Sequence, residues 1–170
     1  MRKIAFDPIV NKDCKVLILG TMPSEESLRK QERYGHKSNQ FWRIIFTLFG
    51  EELPDSYKEK SDFLIKKNIA IWDVLESCEG KGSLDSSIKN EKPNNFKKFF
   101  KEYPQIEHIF FTSKKAEEFY KKYVGFDAKK KFTTLPSPSS ANARMTLDQK
   151  IEKWKILAEI VNSYYIENYR

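Results

Sequence analysis

Four short strand-like runs recur along the chain, each closed by a glycine, a proline or a small polar residue. Residues 15–20, KVLILG, form the first. Ile69-Ala70-Ile71-Trp72 ends at Asp73, the run from Ile106 to Phe111 ends at Thr112-Ser113, and Lys131 to Leu135 ends at Pro136. The unbroken apolar core of the first run suits a strand covered on both faces, as in a parallel sheet. Pro136 and Pro138 lack the amide proton that a continuing strand would need.

Between these runs the apolar positions move to helical spacing. Phe41, Trp42, Ile44, Ile45, Phe46, Leu48 and Phe49 crowd a helix that Gly50 can end. Leu53-Pro54 breaks that pattern, and a short helix near 57–67 carries Phe63, Leu64 and Ile65. Phe96, Phe99, Phe100 and Tyr103 mark one helical face, stopped by Pro104. Ala116, Phe119, Tyr120 and Tyr123 mark the next, with Gly125 placed to cap it. In the last and clearest helix, Thr146 and Gln149 form a capping box ahead of Leu147, Ile151, Trp154, Leu157, Ala158 and Val161. Residues 1–14 read as an arm, turned at Asp7-Pro8, whose Phe6, Ile9 and Val10 could tuck against the body. Residues 74–95 read as irregular, punctuated by Gly80, Gly82 and Pro93.

Strands alternating with helices predict a three-layer α/β/α fold around a parallel sheet, in one domain spanning 1–170. Such folds place their sites beyond the carboxyl ends of the strands. Here the two loops richest in unusual residues follow the first and the last strand. The first runs from Gly20 to Trp42 and contains Tyr34, His36 and Asn39; the second is LPSPSSANA, 135–143.

Composition narrows the picture. The chain carries 31 Lys and Arg against 24 Asp and Glu, a net charge of +7, which points to an anionic partner with nucleic acid first. The competing explanation is a Lys-rich proteome that lifts the charge of every chain. Cys14 and Cys78 lie far apart and have no partner at zinc spacing, so free thiols in a reducing, cytoplasmic compartment are expected. MRKIAFDPIV has no long apolar core, and no stretch approaches the roughly 18 apolar residues of a membrane span.

The motifs exclude several chemistries. No second glycine follows Gly20 until Gly35, so neither a dinucleotide fingerprint nor a P-loop is present. GxSxG is absent. Only Asp73 and His36 stand near strand ends as metal-type ligands, too few for a metal nuclease, and His108 reads as structural. A polar, carboxylate-poor pocket is left, made of Tyr34, His36, Asn39, Ser137, Ser139, Ser140 and Asn142. Such a set suits a flat heterocycle held by stacking and edge hydrogen bonds.

Four segments resemble the uracil-DNA glycosylase superfamily, and within it the hypoxanthine-DNA glycosylase branch: LGTMPS (19–24), YGHKSNQFW (34–42), IAIWDVLESCEGKGSLDSSI (69–88) and LPSPSSANA (135–143). The resemblance implies a central four-stranded parallel sheet. It also implies hydrolysis of the N-glycosidic bond of a flipped base, without metal or cofactor. The superfamily's first motif usually carries an Asp or Asn that activates water; Gly20-Thr21-Met22-Pro23-Ser24 has neither. In the hypoxanthine branch the important amide matches Asn39, and the stacking aromatic of the superfamily matches Tyr34. Many relatives carry Asn-Gly after the third strand, where this chain has Thr112-Ser113, so base preference does not transfer.

The expected roles follow. Asn39 and His36 are the catalytic candidates, although Asn39 equally suits a helix cap and His36 a satisfied structural position. Tyr34, Gly20, Thr21, Met22, Pro23, Thr112 and Ser113 would surround the base. Ser137, Ser139, Ser140, Asn142 and Arg144 would meet DNA, with Asn142 or Arg144 filling the gap left by the flipped base. Lys37, Arg43, Lys114 and Lys115 are further phosphate contacts. Asp73 reads first as a cap and second as a carboxylate that orients water. Phe41 and Trp42 read as pocket wall or core. The partner would be single- or double-stranded DNA carrying a deaminated base, met by a monomer. A damage-binding module without catalysis and a hydrolase of free nucleosides are the rival readings.

Overall fold

The computed structural model describes residues 1–168. In chain order the elements are β1 (Lys3–Ile4), β2 (Val16–Gly20), α1 (Glu25–Lys30), α2 (Phe41–Leu48), α3 (Tyr57–Lys66), β3 (Ile69–Asp73), β4 (Leu75–Glu79), β5 (Lys89–Pro93), α4 (Phe96–Glu102), β6 (His108–Phe111), α5 (Lys114–Tyr123), β7 (Lys131–Thr134) and α6 (Leu147–Asn168). The main sheet is parallel, in the order β3-β2-β6-β7. β2 therefore has a strand on each side and a helical layer on each face, which is why all five of its residues are buried.

The period-2 geometry of a strand divides those residues between the layers. Leu17 and Leu19 pack with Phe96 and Phe99 of α4 and with Ala116, Phe119 and Tyr120 of α5. Val16 and Ile18 pack with Phe41, Ile44 and Ile45 of α2, Leu64 of α3, and Trp154 and Leu157 of α6. The register levels the carboxyl ends. Gly20 lies beside Asp73, and the Thr112 amide donates to Leu19 O at 3.0 Å, so Gly20, Asp73 and Thr112 form one row.

The expected capping box is present: Thr146 N–H donates to Gln149 Oε1 at 2.9 Å and Gln149 N–H to Thr146 Oγ1 at 3.2 Å. His108 is structural, stacked on Phe110 and hydrogen-bonded through Nε2 to Thr133 Oγ1 at 2.8 Å. Ile9 of the arm exchanges backbone hydrogen bonds with Ile71 on the open edge of β3. Cys14 and Cys78 are buried and free, and burial pushes both thiols up. Among the described residues no helix is long and apolar enough to cross a membrane.

Residues 74–95 depart from the expectation of irregular structure. They supply β4 and β5, which with β1 make a second, antiparallel sheet in the order β1-β4-β5. β5 reads KNEKP and is polar apart from Pro93, while its pairing with β4 shifts register twice. Neither strand therefore carries the clean alternation that announces a half-buried strand. The connection requires Gly80, which has φ +140°; a Cβ there would stand 2.2 Å from Ser87 O. The loop after β2 also holds a helix that the pattern did not announce. α1 buries only Ser27, and Ser24 caps it by accepting from Ser27 N–H at 3.1 Å.

Candidate active site

Beyond the carboxyl ends of β2, β3 and β6 lies a cavity of about 540 Å³. The loop after β2 lines it with Gly20, Thr21, Met22, Pro23, Tyr34, His36 and Asn39. The end of β6 contributes Thr112 and Ser113, and the loop after β7 contributes Ser137, Ser139 and Ser140. Two expected residues stand outside this lining. Asn142 folds back into its own loop, donating from Nδ2 to Ser137 O at 3.1 Å, and Arg144 is exposed.

Tyr34 lies on Phe41, ring centroids 3.8 Å apart and planes 16° from parallel. Its hydroxyl reaches the floor and is hydrogen-bonded to Thr112; burial, then the charge of Asp73, pushes the phenol well above its ordinary pKa. The residue holds φ 54°, a left-handed conformation that costs a bulky side chain about 1–3 kcal/mol. Besides stacking on Phe41, the tyrosine lines the cavity. Gly20 makes room below it. A Cβ at this position would come 3.1 Å from the Tyr34 hydroxyl, 3.1 Å from Asp73 Oδ1 and 3.6 Å from Thr112 Oγ1.

The Asn39 amide does part of the work of a helix cap. Its Oδ1 accepts from Phe41 N–H at 2.9 Å, although the cap position itself is Gln40, which makes no side-chain cap bond. With one lone pair of Oδ1 engaged, the amide keeps its Nδ2 protons and the second lone pair. His36 is exposed at the mouth, and its Nδ1 lies 3.2 Å from Ser38 N and 2.7 Å from Ser38 Oγ. Phe41 and Trp42 are buried core residues, and Trp42 Nε1 donates to Arg33 O at 2.9 Å.

The two loops are joined at two depths. At the mouth, Ser38 Oγ and Ser140 Oγ are 2.9 Å apart. At the root, Gln40 N–H donates to Pro138 O at 3.0 Å. Beside it Lys150, 1% exposed, donates from Nζ to Gln40 Oε1 at 2.7 Å and to Ser139 O at 3.1 Å. Trp154 Nε1 adds a bond to Pro136 O at 2.9 Å.

The cavity is richer in carboxylates than the sequence suggests. Asp73 does not act as a side-chain cap; it is 5% exposed and lines the floor. Burial, opposed by the Arg33 guanidinium, pushes its carboxyl up from 3.8 to about 6. Asp85, from the turn between β4 and β5, lines the wall and accepts a hydrogen bond from Thr21. Thr21 Oγ1 is in turn 3.3 Å from Ser113 Oγ. Arg33, Asp85 and Lys150 have no counterpart in the sequence reading. Lys150 had a signal, since it lies on the same helical stripe as Leu147, Ile151 and Trp154. Arg33 and Asp85 stand in polar stretches that carry no periodicity.

The model of the Uracil DNA glycosylase superfamily matches residues 8–161. The chain belongs to that superfamily. It is 36% identical over 155 residues to a hypoxanthine DNA glycosylase of Methanosarcina acetivorans, covering 89% of this chain and 96% of the relative. A hypoxanthine DNA glycosylase of Methanosarcina barkeri is 32% identical over 153 residues, covering 88% and 94%. The fold is similar to the solution NMR structure of a candidate uracil DNA glycosylase from M. acetivorans, with a TM-score of 0.82, 33% identity, and coverage of 95% of this chain and 99% of that one. As a member of the superfamily the chain is a DNA glycosylase, a hydrolase of N-glycosyl bonds. Within this glycosylase, no group of three or more His, Cys, Asp or Glu that could hold a metal occurs among the described residues.

Proposed function

We propose that this glycosylase removes a deaminated base from DNA, hypoxanthine first and uracil or xanthine next, by flipping the nucleotide, hydrolysing its glycosidic bond with water and leaving an abasic site. The observation that carries the reading is the 540 Å³ cavity at the strand ends, roomy enough for a flipped nucleotide, with an aromatic face and donor groups in one place. The names of the two Methanosarcina relatives support hypoxanthine as the first choice.

The residues divide the work by position. Tyr34, backed by Phe41, stacks on the base, a contact worth about 1–3 kcal/mol. Asn39 is neutral and does not take a proton from water in the usual pH range. Its Nδ2 protons hold the attacking water or the departing base, preset by the bond between Oδ1 and Phe41 N–H. His36 and the serines at the mouth meet the sugar-phosphate backbone as the loop after β7 presses on the minor groove. Opening a pair costs a few kcal/mol, least for mismatched or damaged pairs, which adds selectivity before any pocket contact.

Duplexes carrying one inosine, uracil or xanthine, treated with the protein and then with alkali, test the reading. Strand breaks at inosine are expected. Their absence at stoichiometric enzyme for all three bases overturns it. In the same assay Asn39→Ala should keep its circular dichroism spectrum and lose about 100-fold or more in single-turnover rate, the scale for one preorganised polar group. An unchanged rate removes Asn39 from the mechanism.

A further inference from the structure

One apolar side chain stands at the cavity without cover. Among the described residues, Leu84 is the large hydrophobic side chain that is both exposed, at 64%, and part of the cavity lining. A single leucine on a surface is ordinary. This one stands at the rim of a cavity that takes its ligand out of a base stack, and the roles assigned above give it no task.

The turn that carries it, between β4 and β5, is fastened on both sides of the leucine. Ahead of it, Gly82 N–H donates to Glu25 Oε1 at 2.9 Å, Glu25 N–H donates to Ser83 Oγ at 3.0 Å, and Lys3 Nζ donates to Gly82 O. Behind it, Asp85–Ser87 close one 3-10 turn, in which Ser87 N–H and Ser87 Oγ donate to Leu84 O at 3.0 and 2.7 Å. The backbone around Leu84 is thus tied to α1, to β1 and to its own turn, while the side chain faces solvent. Folding gains little from a side chain so placed. A ligand that covers it gains what burying a leucine is worth.

DNA offers that cover at one step. Once a nucleotide has turned out of the duplex, the stack holds a gap with an apolar ring face on each side, and an inserted leucine fills part of it. The loop after β7 does not supply such a side chain. Asn142 is tied to Ser137 O, and Arg144 lies outside the lining. Of the apolar lining residues of that loop, Pro138 is buried and Ala141 has a single methyl group.

We propose that Leu84 is the wedge of this glycosylase: its side chain enters the stack beside the flipped nucleotide, fills part of the gap and slows the return of the base. The wedge rests on the flipped-base reading. It assigns gap filling to the turn between β4 and β5 and leaves the loop after β7 to grip the backbone. Because a wedge acts on the stack and not on the extruded base, it serves inosine, uracil and xanthine alike. In a single strand it has no gap to hold open.

The test uses Leu84→Ala, which removes the wedge, and Leu84→Met, which keeps its volume. Both should retain the wild-type circular dichroism spectrum, since the side chain is exposed. Single-turnover excision is measured on one inosine-containing oligonucleotide, alone and in duplex. Leu84→Ala should be about 10- to 100-fold slower than wild type on the duplex, the range for one leucine left uncovered, and within about 2-fold of it on the single strand. Leu84→Met should recover most of the duplex rate. An unchanged duplex rate overturns the proposal. So does an equal loss on both substrates, which would put the leucine against the base and not in the stack. A second arm needs no cleavage. Fluorescence anisotropy compares a duplex carrying one tetrahydrofuran abasic site, where the gap is already open, with the intact duplex. Wild type should bind the gapped duplex at least about 10-fold more tightly, and Leu84→Ala should lose that preference. If no strand is ever cut, this pattern still supports the wedge, and the glycosylase reading alone has failed. Wild-type binding without preference, or a preference that Leu84→Ala retains, sinks the wedge.

Discussion

Asp73 couples the floor of the cavity to the stability of the whole chain. Its carboxyl holds a proton up to about pH 6 in the native state and only to about 3.8 in the unfolded one. Between those values the native state binds more protons than the unfolded chain, so stability falls as pH rises through the window. The full span corresponds to roughly 3 kcal/mol, since one unit is about 1.4 kcal/mol. Asp73→Asn has no such titration. Relative to wild type it should gain up to about 3 kcal/mol between pH 3.5 and pH 7.5, measured by urea unfolding at both values. A difference that does not change with pH removes the buried charge as its cause. Gly20 shows the same economy of space, since the methyl group it lacks is what lets an aspartate, a tyrosine and a threonine meet.

At the scale of elements, α6 is more than a cover for the sheet. Lys150 ties it to the loops on both sides of the cavity through Gln40 Oε1 and Ser139 O. Lys150→Met keeps the buried stem and removes both bonds. An unsatisfied buried acceptor costs about 1–3 kcal/mol, so the variant should lose stability on that scale. The Gln40 amide, which donates to Pro138 O, should exchange its hydrogen faster; unchanged exchange would mean the lysine does not hold the loops. Lys150 also marks where the sequence was readable and where it was not. The strands of the main sheet stood out because β2 is covered on both faces, and α6 stood out through its cap and stripe. The second sheet did not, because the pairing of β4 with β5 shifts register twice and β5 is polar apart from Pro93. Tyr34, His36 and Asn39 were found as odd residues in a loop at a strand end. Arg33 and Asp85 were not, because a charged residue in a polar stretch looks the same in sequence whether it faces water or a cavity.

For the molecule as a whole, the +7 charge and the cavity belong to one description. The cations Lys37, Lys114 and Arg144 are exposed and adjoin the lining segments in sequence, and Arg43 is exposed on α2. If these four meet phosphates, the logarithm of DNA affinity should fall with the logarithm of salt concentration at a slope of about −3 to −4, and Arg144→Ala should lower the slope by about 1. Fluorescence anisotropy across a salt series measures both, and salt-independent binding would mean that the charge is incidental. The two joints between the site loops carry one more consequence. The seam at the root is buried and charge-assisted, through Lys150, whereas the clasp at the mouth is two serine hydroxyls in water, Ser38 and Ser140. The cavity is therefore stiff where a ring edge would be read and yielding where a nucleotide must pass. Undoing the clasp leaves the buried seam in place and frees the Ser140 hydroxyl to turn to a phosphate oxygen of the strand that parted the loops, while Ser38 Oγ keeps His36 Nδ1 at 2.7 Å.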